Sequence, residues 1–335
     1  MRRMAGAGVA KVGVLGAGAF GTALANVAAR AGAAVTLWAR DAALVAEVNE
    51  RRSNAKRLPG AVIHERVAAT TDLAAAVAAD LVLVVVPAQA LRAVAQAAAP
   101  LLPAGTPFVI CAKGIERGTG RFLSDVVAEA VPNAVPAVLS GPSFAADIDK
   151  ALPTAVTVAA GDEEVAQRIA QTLASPTFRL YHTTDVRGVE IGGATKNVLA
   201  IAAGIVAGRK LGASATAAIT ARGFAELSRF GVHFGAKPQT LMGLSGLGDL
   251  ILSCSSLQSR NFALGHALGE GKGLDLLSGK GALAEGALTA EILVEKAKAA
   301  GVDMPIAEAV DAVLGGMIDV DQAIVQLMAR PQKAE

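Results

Sequence analysis

The sequence predicts an α/β domain built on a doubly wound sheet, followed by a second domain that is entirely helical. Three features lead to this prediction: a strand, glycine turn, helix and strand over residues 11–41, an alternation of strands and helices up to residue 185, and the loss of strand patterns beyond it. A chain of 335 residues is long for one hydrophobic core and suits two domains. We therefore expect one domain over residues 1–185 and the other over residues 186–335.

The first unit carries a nucleotide-binding pattern. An apolar strand at residues 12–15 leads into a G-x-G-x-x-G turn at residues 16–21, and a helix and a second strand at residues 34–38 follow. Gly16 permits the tight turn, Gly18 lets backbone amides approach a pyrophosphate, and Gly21 lets the helix pack close to the strand. In this context the pattern predicts a bound dinucleotide, and the alternative is a glycine-rich turn in an ordinary α/β domain.

The end of the second strand indicates which dinucleotide is accepted. An NAD-specific site usually has Asp or Glu at this strand tip to bind the ribose 2′-hydroxyl, whereas this sequence has Arg40, with Arg51 and Arg52 further along. A cation there can accommodate the 2′-phosphate of NADP. Asp41 is more simply explained as the N-cap of the next helix. The sequence thus predicts NADP(H) as a cofactor, with NAD(H) as the alternative.

Apolar periodicity predicts the remaining elements. The continuous β-branched run within residues 80–87 is typical of a strand buried on both faces of a parallel sheet. Other predicted strands of the first domain cover residues 67–70, 107–112, 137–140, 154–159 and 177–181, and its helices cover residues 44–52, 73–78, 89–98, 121–130 and 163–173. The second domain has predicted helices at residues 189–206, 214–230, 261–268, 287–299 and 306–314.

Composition argues against several classes of protein. Charged residues make up 18% of the chain, below the roughly 25% of an average soluble protein, but much of the apolar excess is alanine, which favours helices. No uninterrupted apolar run reaches the roughly 18–20 residues that cross a bilayer, so we expect no transmembrane segment. The net charge of +2, without a basic block, argues against nucleic acid as a partner.

The amino end and the cysteines bear on the cellular compartment. Residues 1–10 have the composition of a signal peptide, but Lys11 interrupts the apolar run, which continues into the glycine turn. We expect a short extension and a cytoplasmic protein. Cys111 and Cys254 do not make a disulfide framework, and the four histidines lack the spacing of a metal site, so no metal is expected.

Ligands of doubly wound sheets bind at the carboxyl ends of the strands. Three loops follow such ends, at residues 87–89, 111–116 and 140–145. Lys113 lies in the second loop, on the same edge as the glycine turn, so we expect it to contact the ligands. The alternative is a solvated loop lysine.

The helical domain contains the reactive candidates. Lys196 lies among glycine, alanine and aliphatic residues of a helix, where burial would lower its pKa toward that of an acid or base working near neutral pH. The alternative is a snorkelling lysine with its amine in water. Residues 243–250 are predicted to form a glycine-rich loop with one acid, Asp249. The Ser259-Arg260-Asn261 run opens a helix and suits a phosphate, or else is an N-cap serine beside an exposed arginine.

Together these motifs resemble the bacterial-type NAD(P)-dependent glycerol-3-phosphate dehydrogenase family. The matching stretches run in order along nearly the whole chain: GAGAFGTALA (16–25), CAKGIE (111–116), GPSFA (141–145), EIGGATKNVLAIAAGI (190–205), GLSGLGDL (243–250), SRN (259–261) and AEG (284–286). The resemblance implies a Rossmann-type domain and a helical domain of the 6-phosphogluconate-dehydrogenase type. It also implies NAD(P)H-dependent reduction of dihydroxyacetone phosphate to sn-glycerol 3-phosphate, a precursor of phospholipids. We further expect a homodimer, because exposed apolar patches tend to be interfaces.

The resemblance also implies which residues carry the reaction. Lys196 would be the catalytic acid/base, assisted by Lys113 and Asp249. The expected cofactor contacts include the three glycines of the turn and residues implied by the resemblance: Gly16, Gly18, Ala19, Phe20, Gly21, Arg40, Lys113, Ala145, Arg260, Leu283 and Glu285. The implied substrate contacts are Lys113, Gly141, Ser143, Lys196, Asn197, Asp249, Ser253, Ser259, Arg260 and Asn261.

The sequence departs from the family pattern at a few of these positions. Ala19-Phe20 stands where the family commonly has Ser-Trp or Ser-Tyr, so the hydroxyl is lost and the aromatic face is kept. Ser253 stands where threonine is common, and Asp147 stands where glutamate is usual. None of these changes removes a catalytic group.

Two other functions fit parts of the sequence. A hydroxy-acid or ketopantoate-type dehydrogenase would share the glycine turn and the helical second domain, but it has no need of both the Ser259-Arg260-Asn261 run and the acid of GLGDL. A non-catalytic dinucleotide-sensing protein would need no proton donor, yet Lys113, Lys196 and Asp249 are all present.

Overall fold

The computed structural model describes residues 9–273 and 284–331 and divides the chain into two compact units. The sheet unit comprises the described residues up to Ala112 together with Phe122–Val186. The helical unit comprises Lys113–Arg121 and the described residues from Arg187 onward. The segment Lys113–Arg121 therefore groups with the helices, although it lies within the range predicted for the first domain.

Eight strands form the sheet. Their bounds are β1 Lys11–Leu15, β2 Ala34–Trp38, β3 Val67–Thr70, β4 Leu81–Val84, β5 Pro107–Ile110, β6 Val135–Ser140, β7 Thr154–Ala160 and β8 Phe178–Thr183. The spatial order is β3-β2-β1-β4-β5-β6-β7-β8, and every neighbouring pair is parallel except β6 and β7. Because the first six strands follow the order of doubly wound dinucleotide domains, the predicted fold class is confirmed.

The helices of the sheet unit are α1 Ala19–Arg30, α2 Ala42–Ala46, α3 Leu73–Val77, α4 Leu91–Ala98, α5 Leu123–Ala130, α6 Ala145–Asp149 and α7 Glu163–Leu173. Those that follow are α8 Val186–Gly208, α9 Ala213–His233, α10 Pro238–Leu241, α11 Asp249–Cys254, α12 Arg260–Gly269, α13 Glu285–Ala299, α14 Pro305–Leu314 and α15 Val320–Met328. The sequence missed α6, α10, α11 and α15, three of which have six residues or fewer and so give little periodic signal.

The long helix α8 is the core of the helical unit. Its residues are buried on all sides, which matches its uniformly apolar composition. By length and composition this helix could cross a membrane, but 94% of its most apolar window is buried inside the protein, as is usual for a core helix.

Helices α8 and α12 approach each other through glycines. A Cβ at Gly204 would lie 2.2 Å from the carbonyl oxygen of Phe262, and a Cβ at Gly265 would lie 2.0 Å from that of Ile201. Gly208 and Gly269 repeat the same contact one turn later. Since both partners are backbone, neither can move aside without moving its helix.

We expect Gly265→Ala to destabilise the protein by about 3 kcal/mol, at the upper end of overpacking costs, because the added methyl group meets backbone. Urea unfolding followed by circular dichroism at 222 nm measures the change. Gly161→Ala is the control: a Cβ there would meet no heavy atom within 4 Å, and we expect a change within about 0.5 kcal/mol. Equal stabilities of the two variants would contradict the close contact.

A buried carboxylate gives the helical unit a pH-dependent stability. Glu226 of α9 is 1% exposed and accepts backbone hydrogen bonds from Ile306 (2.7 Å) and Ala307 (3.2 Å) in the first turn of α14. Burial raises the pKa of Glu226 to about 7, against those two hydrogen bonds and the charge of Arg229, which lower it. The folded protein therefore holds this proton at pH values where the unfolded chain has released it.

A group with a raised folded pKa stabilises most below its unfolded pKa and loses that contribution as pH rises through its folded pKa. We expect wild-type stability to fall by up to about 3 kcal/mol from Glu226 alone between roughly pH 4.5 and 7. In Glu226→Gln this part of the slope disappears. Urea unfolding at pH 5, 6, 7 and 8 compares the two proteins, and parallel profiles would argue against titration of Glu226.

Candidate active site

The glycine turn has the shape that a pyrophosphate needs. Gly16 has φ +115°, and a Cβ there would lie 2.6 Å from the carbonyl oxygen of Val85. A Cβ at Gly21 would lie 1.8 Å from the oxygen of Gly16, whereas one at Gly18 would meet open space. No side chain caps α1, whose N-cap is Gly18. The residues present fit a dinucleotide, since backbone N–H groups at this helix end are open to an anion and the neighbouring Ala19 and Phe20 are half-buried.

Asn54, which the sequence did not single out, supports this turn from a distant segment. Its buried side chain donates hydrogen bonds to the carbonyl oxygen of Ala17 (3.1 Å) and the hydroxyl of Thr22 (2.8 Å). Nothing in the local sequence marks Asn54, because its partners lie more than 30 positions away.

The three arginines considered for the cofactor, Arg40, Arg51 and Arg52, differ in their surroundings. Arg40 is exposed at the tip of β2, and Asp41 caps α2 by accepting from the backbone N–H groups of Ala43 and Leu44, as predicted. Arg52 donates a hydrogen bond to the carbonyl oxygen of Val67 at 2.6 Å, so its guanidinium has a structural role. Of the two remaining, Arg40 stands directly at the strand end.

The loop after β6 brings Gly141, Ser143 and Ala145 together. Gly141 has φ +145°, and a Cβ there would lie 2.9 Å from the Cα of Val156. The hydroxyl of Ser143 donates to the carbonyl oxygen of Gly141 at 2.9 Å, and Ala145 begins α6. This loop follows the carboxyl end of its strand, where ligands of such sheets bind.

Lys196 is buried and its ammonium is held by two partners. The residue is 7% exposed, and its Nζ donates to Asp249 Oδ1 at 2.8 Å and to Ser253 Oγ at 2.5 Å. The snorkelling alternative is therefore wrong. Because Ser253 lies one helical turn after Asp249 on α11, the hydroxyl and the carboxylate face the same amine.

The second oxygen of the same carboxylate binds Lys113. Its Nζ lies 2.5 Å from Asp249 Oδ2, and its side chain is 15% exposed, so it is not a solvated loop lysine. Asp249 is 1% exposed and bridges the two ammonium groups. The three predicted catalytic residues thus form one cluster within the helical unit.

The cluster sets the protonation of its members. Burial lowers the pKa of Lys196 to about 8, against the charge of Asp249, which raises it, and with the charge of Lys113, which lowers it. Burial alone would raise the pKa of Asp249, but the two lysines and their hydrogen bonds hold it below its ordinary value. At neutral pH the site therefore holds a carboxylate between two ammonium groups.

The segment around Asp249 is helical, not the loop that its glycines suggested. A π-helical turn at Leu244–Gly248 runs directly into α11. Its glycines serve close packing: a Cβ at Gly246 would lie 2.0 Å from the oxygen of Leu241, and one at Gly192 of α8 would lie 2.5 Å from the oxygen of Ser245. This packing brings the start of α11 onto the helix that carries Lys196.

The Ser259-Arg260-Asn261 run opens α12. Ser259 caps the helix by accepting from the N–H of Phe262 at 3.3 Å, and Arg260 is exposed. Both alternatives that the sequence allowed are compatible with this arrangement, which leaves the guanidinium of Arg260 at the helix end, where an anion is favoured.

Three helices meet beside these residues. The amide of Asn261 donates to Asn197 Oδ1 at 3.0 Å and accepts from the N–H of Gly286 at 2.9 Å. A Cβ at Gly286 would lie 2.6 Å from the carbonyl oxygen of Asn197. Each member of this junction directly follows a predicted site residue: Lys196, Arg260 and Glu285. Leu283, the remaining predicted cofactor contact, lies outside the described residues.

Comparison with known proteins decides the family. Residues 11–166 match the family model described as "NAD-dependent glycerol-3-phosphate dehydrogenase N-terminus". Residues 185–325 match the model of the C-terminus of the same family. The chain belongs to the NAD-dependent glycerol-3-phosphate dehydrogenase family. A curated glycerol-3-phosphate dehydrogenase [NAD(P)+] of Azorhizobium caulinodans is 64% identical to it over 97% of this chain and 98% of the relative.

Solved structures agree with this family. The glycerol-3-phosphate dehydrogenase of Coxiella burnetii superposes with a TM-score of 0.90 at 38% identity, covering 96% of this chain and 99% of that one. A PanE/ApbA family ketopantoate reductase of Ralstonia eutropha gives a TM-score of 0.56 at 18% identity, covering 94% of this chain and 99% of that one. The second likeness shows the fold alone, so the predicted family is confirmed over the ketopantoate alternative.

Proposed function

We propose that the protein catalyses the reversible reduction of dihydroxyacetone phosphate to sn-glycerol 3-phosphate with NADPH or NADH. The observation that carries this proposal is the buried ammonium of Lys196, held by Asp249 and Ser253 and paired through the same carboxylate with Lys113. A proton donor with a pKa of about 8 is suited to protonating an alkoxide near neutral pH. Family membership supports dihydroxyacetone phosphate as the substrate, and the product, sn-glycerol 3-phosphate, would serve as a precursor of phospholipids.

A dinucleotide held at Gly16, Gly18 and Gly21 would supply a hydride to the C2 carbonyl carbon. The residues of the chain manage the charge that develops on the carbonyl oxygen. Lys196 donates its Nζ proton to that oxygen, and Lys113 adds a second positive charge beside it. Asp249 stays ionised and holds both amines in place, so the site needs little reorganisation during the reaction.

The phosphate of the substrate is assigned to the start of α12. Arg260 offers a planar, bidentate donor, and the helix end favours negative charge. The other proposed substrate contacts of the helical unit are Ser259, Asn261, Asn197 and Ser253. The family resemblance adds Gly141 and Ser143. Since the phosphate does not react, its binding energy can be used to position the carbonyl carbon.

The cofactor is assigned to the glycine turn of the sheet unit, with Ala19, Phe20, Arg40 and Ala145. The family resemblance also assigns Lys113, Arg260, Glu285 and Leu283 to the cofactor, and Leu283 lies outside the described residues. We propose a dinucleotide-binding domain over residues 1–185 and a substrate-binding, catalytic domain over residues 186–335. Lys113 lies in the first of these ranges but is proposed to act on the substrate. A homodimer in the cytoplasm is proposed as the working form.

The test is consumption of NADPH and NADH, assayed separately, with dihydroxyacetone phosphate as oxidant and unphosphorylated dihydroxyacetone as control. Turnover with the phosphorylated substrate alone supports the proposal. Turnover of both substrates at equal kcat/KM contradicts the phosphate site, and no turnover with either cofactor contradicts the reaction.

Arg40→Asp should change the choice of cofactor. The substitution replaces a cation that can bind a 2′-phosphate with an anion that can bind the ribose 2′-hydroxyl. We expect kcat/KM for NADPH to fall by about 10- to 100-fold, the effect of losing a charge-assisted hydrogen bond and adding repulsion, while the value for NADH holds or rises. Arg66→Asp, which alters another exposed arginine of the sheet unit, is the control. An unchanged NADPH/NADH ratio after Arg40→Asp would refute the role of this residue.

A further inference from the structure

The segment Lys113–Arg121 is attached to the helical unit at both of its ends. At its start Lys113 binds Asp249 of α11. Near its finish the ammonium of Lys296, on α13, donates to the carbonyl oxygen of Gly120 at 3.0 Å. The chain thus leaves the sheet after β5, reaches two different helices and returns at Phe122. Such an attachment specifies where Lys113 lies.

Lys296 is itself held in a defined place. Its Nζ lies 4.8 Å from the centroid of the Phe234 ring, within the range of a cation–π contact, and its side chain is half-buried. A partly desolvated cation over a ring loses little freedom when it binds a carbonyl oxygen. The contact with Gly120 is therefore a fixed point for the segment.

Hydrogen bonds within the segment link its residues to one another, so the contact at Gly120 constrains the whole segment. The N–H of Gly120 donates to the oxygen of Glu116, and the N–H of Glu116 donates to the oxygen of Arg121, both at 3.0 Å. The hydroxyl of Thr119 donates to Glu116 Oε2 at 2.5 Å. Ile115, between Lys113 and this closed loop, is fully buried. A shift at Gly120 must consequently move Glu116 and, three residues before it, Lys113.

We propose that Lys296 is a positioning residue: by binding the carbonyl oxygen of Gly120 it holds the segment Lys113–Arg121 so that the Lys113 ammonium stays on Asp249. Lys296 touches neither substrate nor cofactor in this proposal and acts through Lys113. The inference rests on the proposed function for its catalytic consequence, while the attachment itself is independent of any reaction.

The attachment has an electrostatic consequence at Lys196. The charged and titratable groups that act on this amine are Asp249 and Cys254 on α11 and Lys113 on the segment. Asp249 and the Cys254 thiol raise the pKa of Lys196, while Lys113 lowers it. Displacing Lys113 leaves Asp249 paired with Lys196 alone, so the pKa of Lys196 should rise. Looser packing that hydrates Lys196 would also raise this pKa, because burial is the main cause that lowers it, so the pH shift is interpreted together with rescue by Lys296→Arg.

The test uses Lys296→Met, which keeps the aliphatic stem and removes the ammonium. In the reduction direction we expect kcat to fall roughly tenfold, because a charge that stabilises the developing oxyanion is displaced. The basic limb of the kcat–pH profile, set by deprotonation of Lys196, should move to higher pH. KM for the cofactor should rise no more than a few-fold, because Lys113 is one of several proposed cofactor contacts. Lys296→Arg should restore both kcat and the pH limb, since a guanidinium can bind the carbonyl and lie over the ring.

Glu291→Gln is the matched control on the same helix. Glu291 pairs with Arg117 of the segment, but both side chains are more than half exposed (56% and 54%), and such pairs contribute little. We expect wild-type kinetics from this variant. Lys296→Met with an unmoved pH limb and normal kcat overturns the proposal, and so does a Lys296→Arg variant that behaves like Lys296→Met.

A second measurement does not depend on turnover. Limited trypsin digestion with mass spectrometry follows cleavage after Lys113, Arg117 and Arg121 in the full-length protein. Cleavage should be at least several-fold faster in Lys296→Met than in the wild type or Glu291→Gln. Equal rates overturn the attachment. If the wild type shows no turnover with dihydroxyacetone phosphate, the proposed function fails, and the digestion still decides the attachment.

Discussion

Lys196→Ala is expected to lose about 10²- to 10⁴-fold in kcat, the range that a positioned acid or base contributes. The substitution removes the buried ammonium that protonates the product oxygen. Folding should survive, because Asp249 keeps its ion pair with Lys113 and so is not left as an unpaired buried charge. Steady-state kinetics with dihydroxyacetone phosphate measure the loss, and fluorescence titration measures NADPH binding, which should stay within about twofold of the wild type.

The control for this prediction is Lys298→Ala, which removes an exposed lysine of α13. Its kinetics should match the wild type. A small primary amine added to Lys196→Ala should restore part of the rate, because the cavity left beside Asp249 and Ser253 is lined for an ammonium group. Near-normal turnover by Lys196→Ala without added amine would remove Lys196 from the mechanism.

Asp249→Asn should have the second-largest effect. The neutral amide removes the charge that raises the pKa of Lys196 and leaves two ammonium groups facing each other. The pKa of Lys196 should therefore fall below its present value of about 8, and the basic limb of the kcat–pH profile should move to lower pH. At pH 8 we expect kcat to fall roughly 100-fold, as for loss of a group that orients a catalytic charge.

The direction of this pKa shift distinguishes the effects of the two charged neighbours of Lys196, Asp249 and Lys113. Asp249→Asn lowers the pKa of Lys196, whereas displacement of Lys113 raises it, so the pH limbs should move in opposite directions. Stability should also fall, by about 3–5 kcal/mol, because one partner of a buried ion pair is removed. A kcat–pH profile whose basic limb is unmoved in Asp249→Asn would show that the carboxylate does not set the protonation of Lys196.

Much of the fold follows from patterns that neighbouring residues make. The glycine turn, the N-cap at Asp41, the buried strand β4 and the uniformly apolar helix α8 were all predicted, because each depends on residues a few positions apart. Short elements were harder to predict from sequence. The Leu244–Gly248 turn and α11 were taken for a loop, since glycines that serve close helix packing look the same in sequence as glycines that serve flexibility.

The sequence by itself determined the family, the order of strands and helices, and the identity of Lys113, Lys196 and Asp249 as candidates. It left open whether Lys196 is buried or snorkels, and it placed Lys113 with the sheet. Only the tertiary structure decided that one carboxylate bridges both amines across 136 and 53 positions of sequence, and that Asn54 supports the glycine turn. The reason is physical: local pattern fixes which face of an element is apolar, while the partners of a buried polar group are set by which distant elements pack against it.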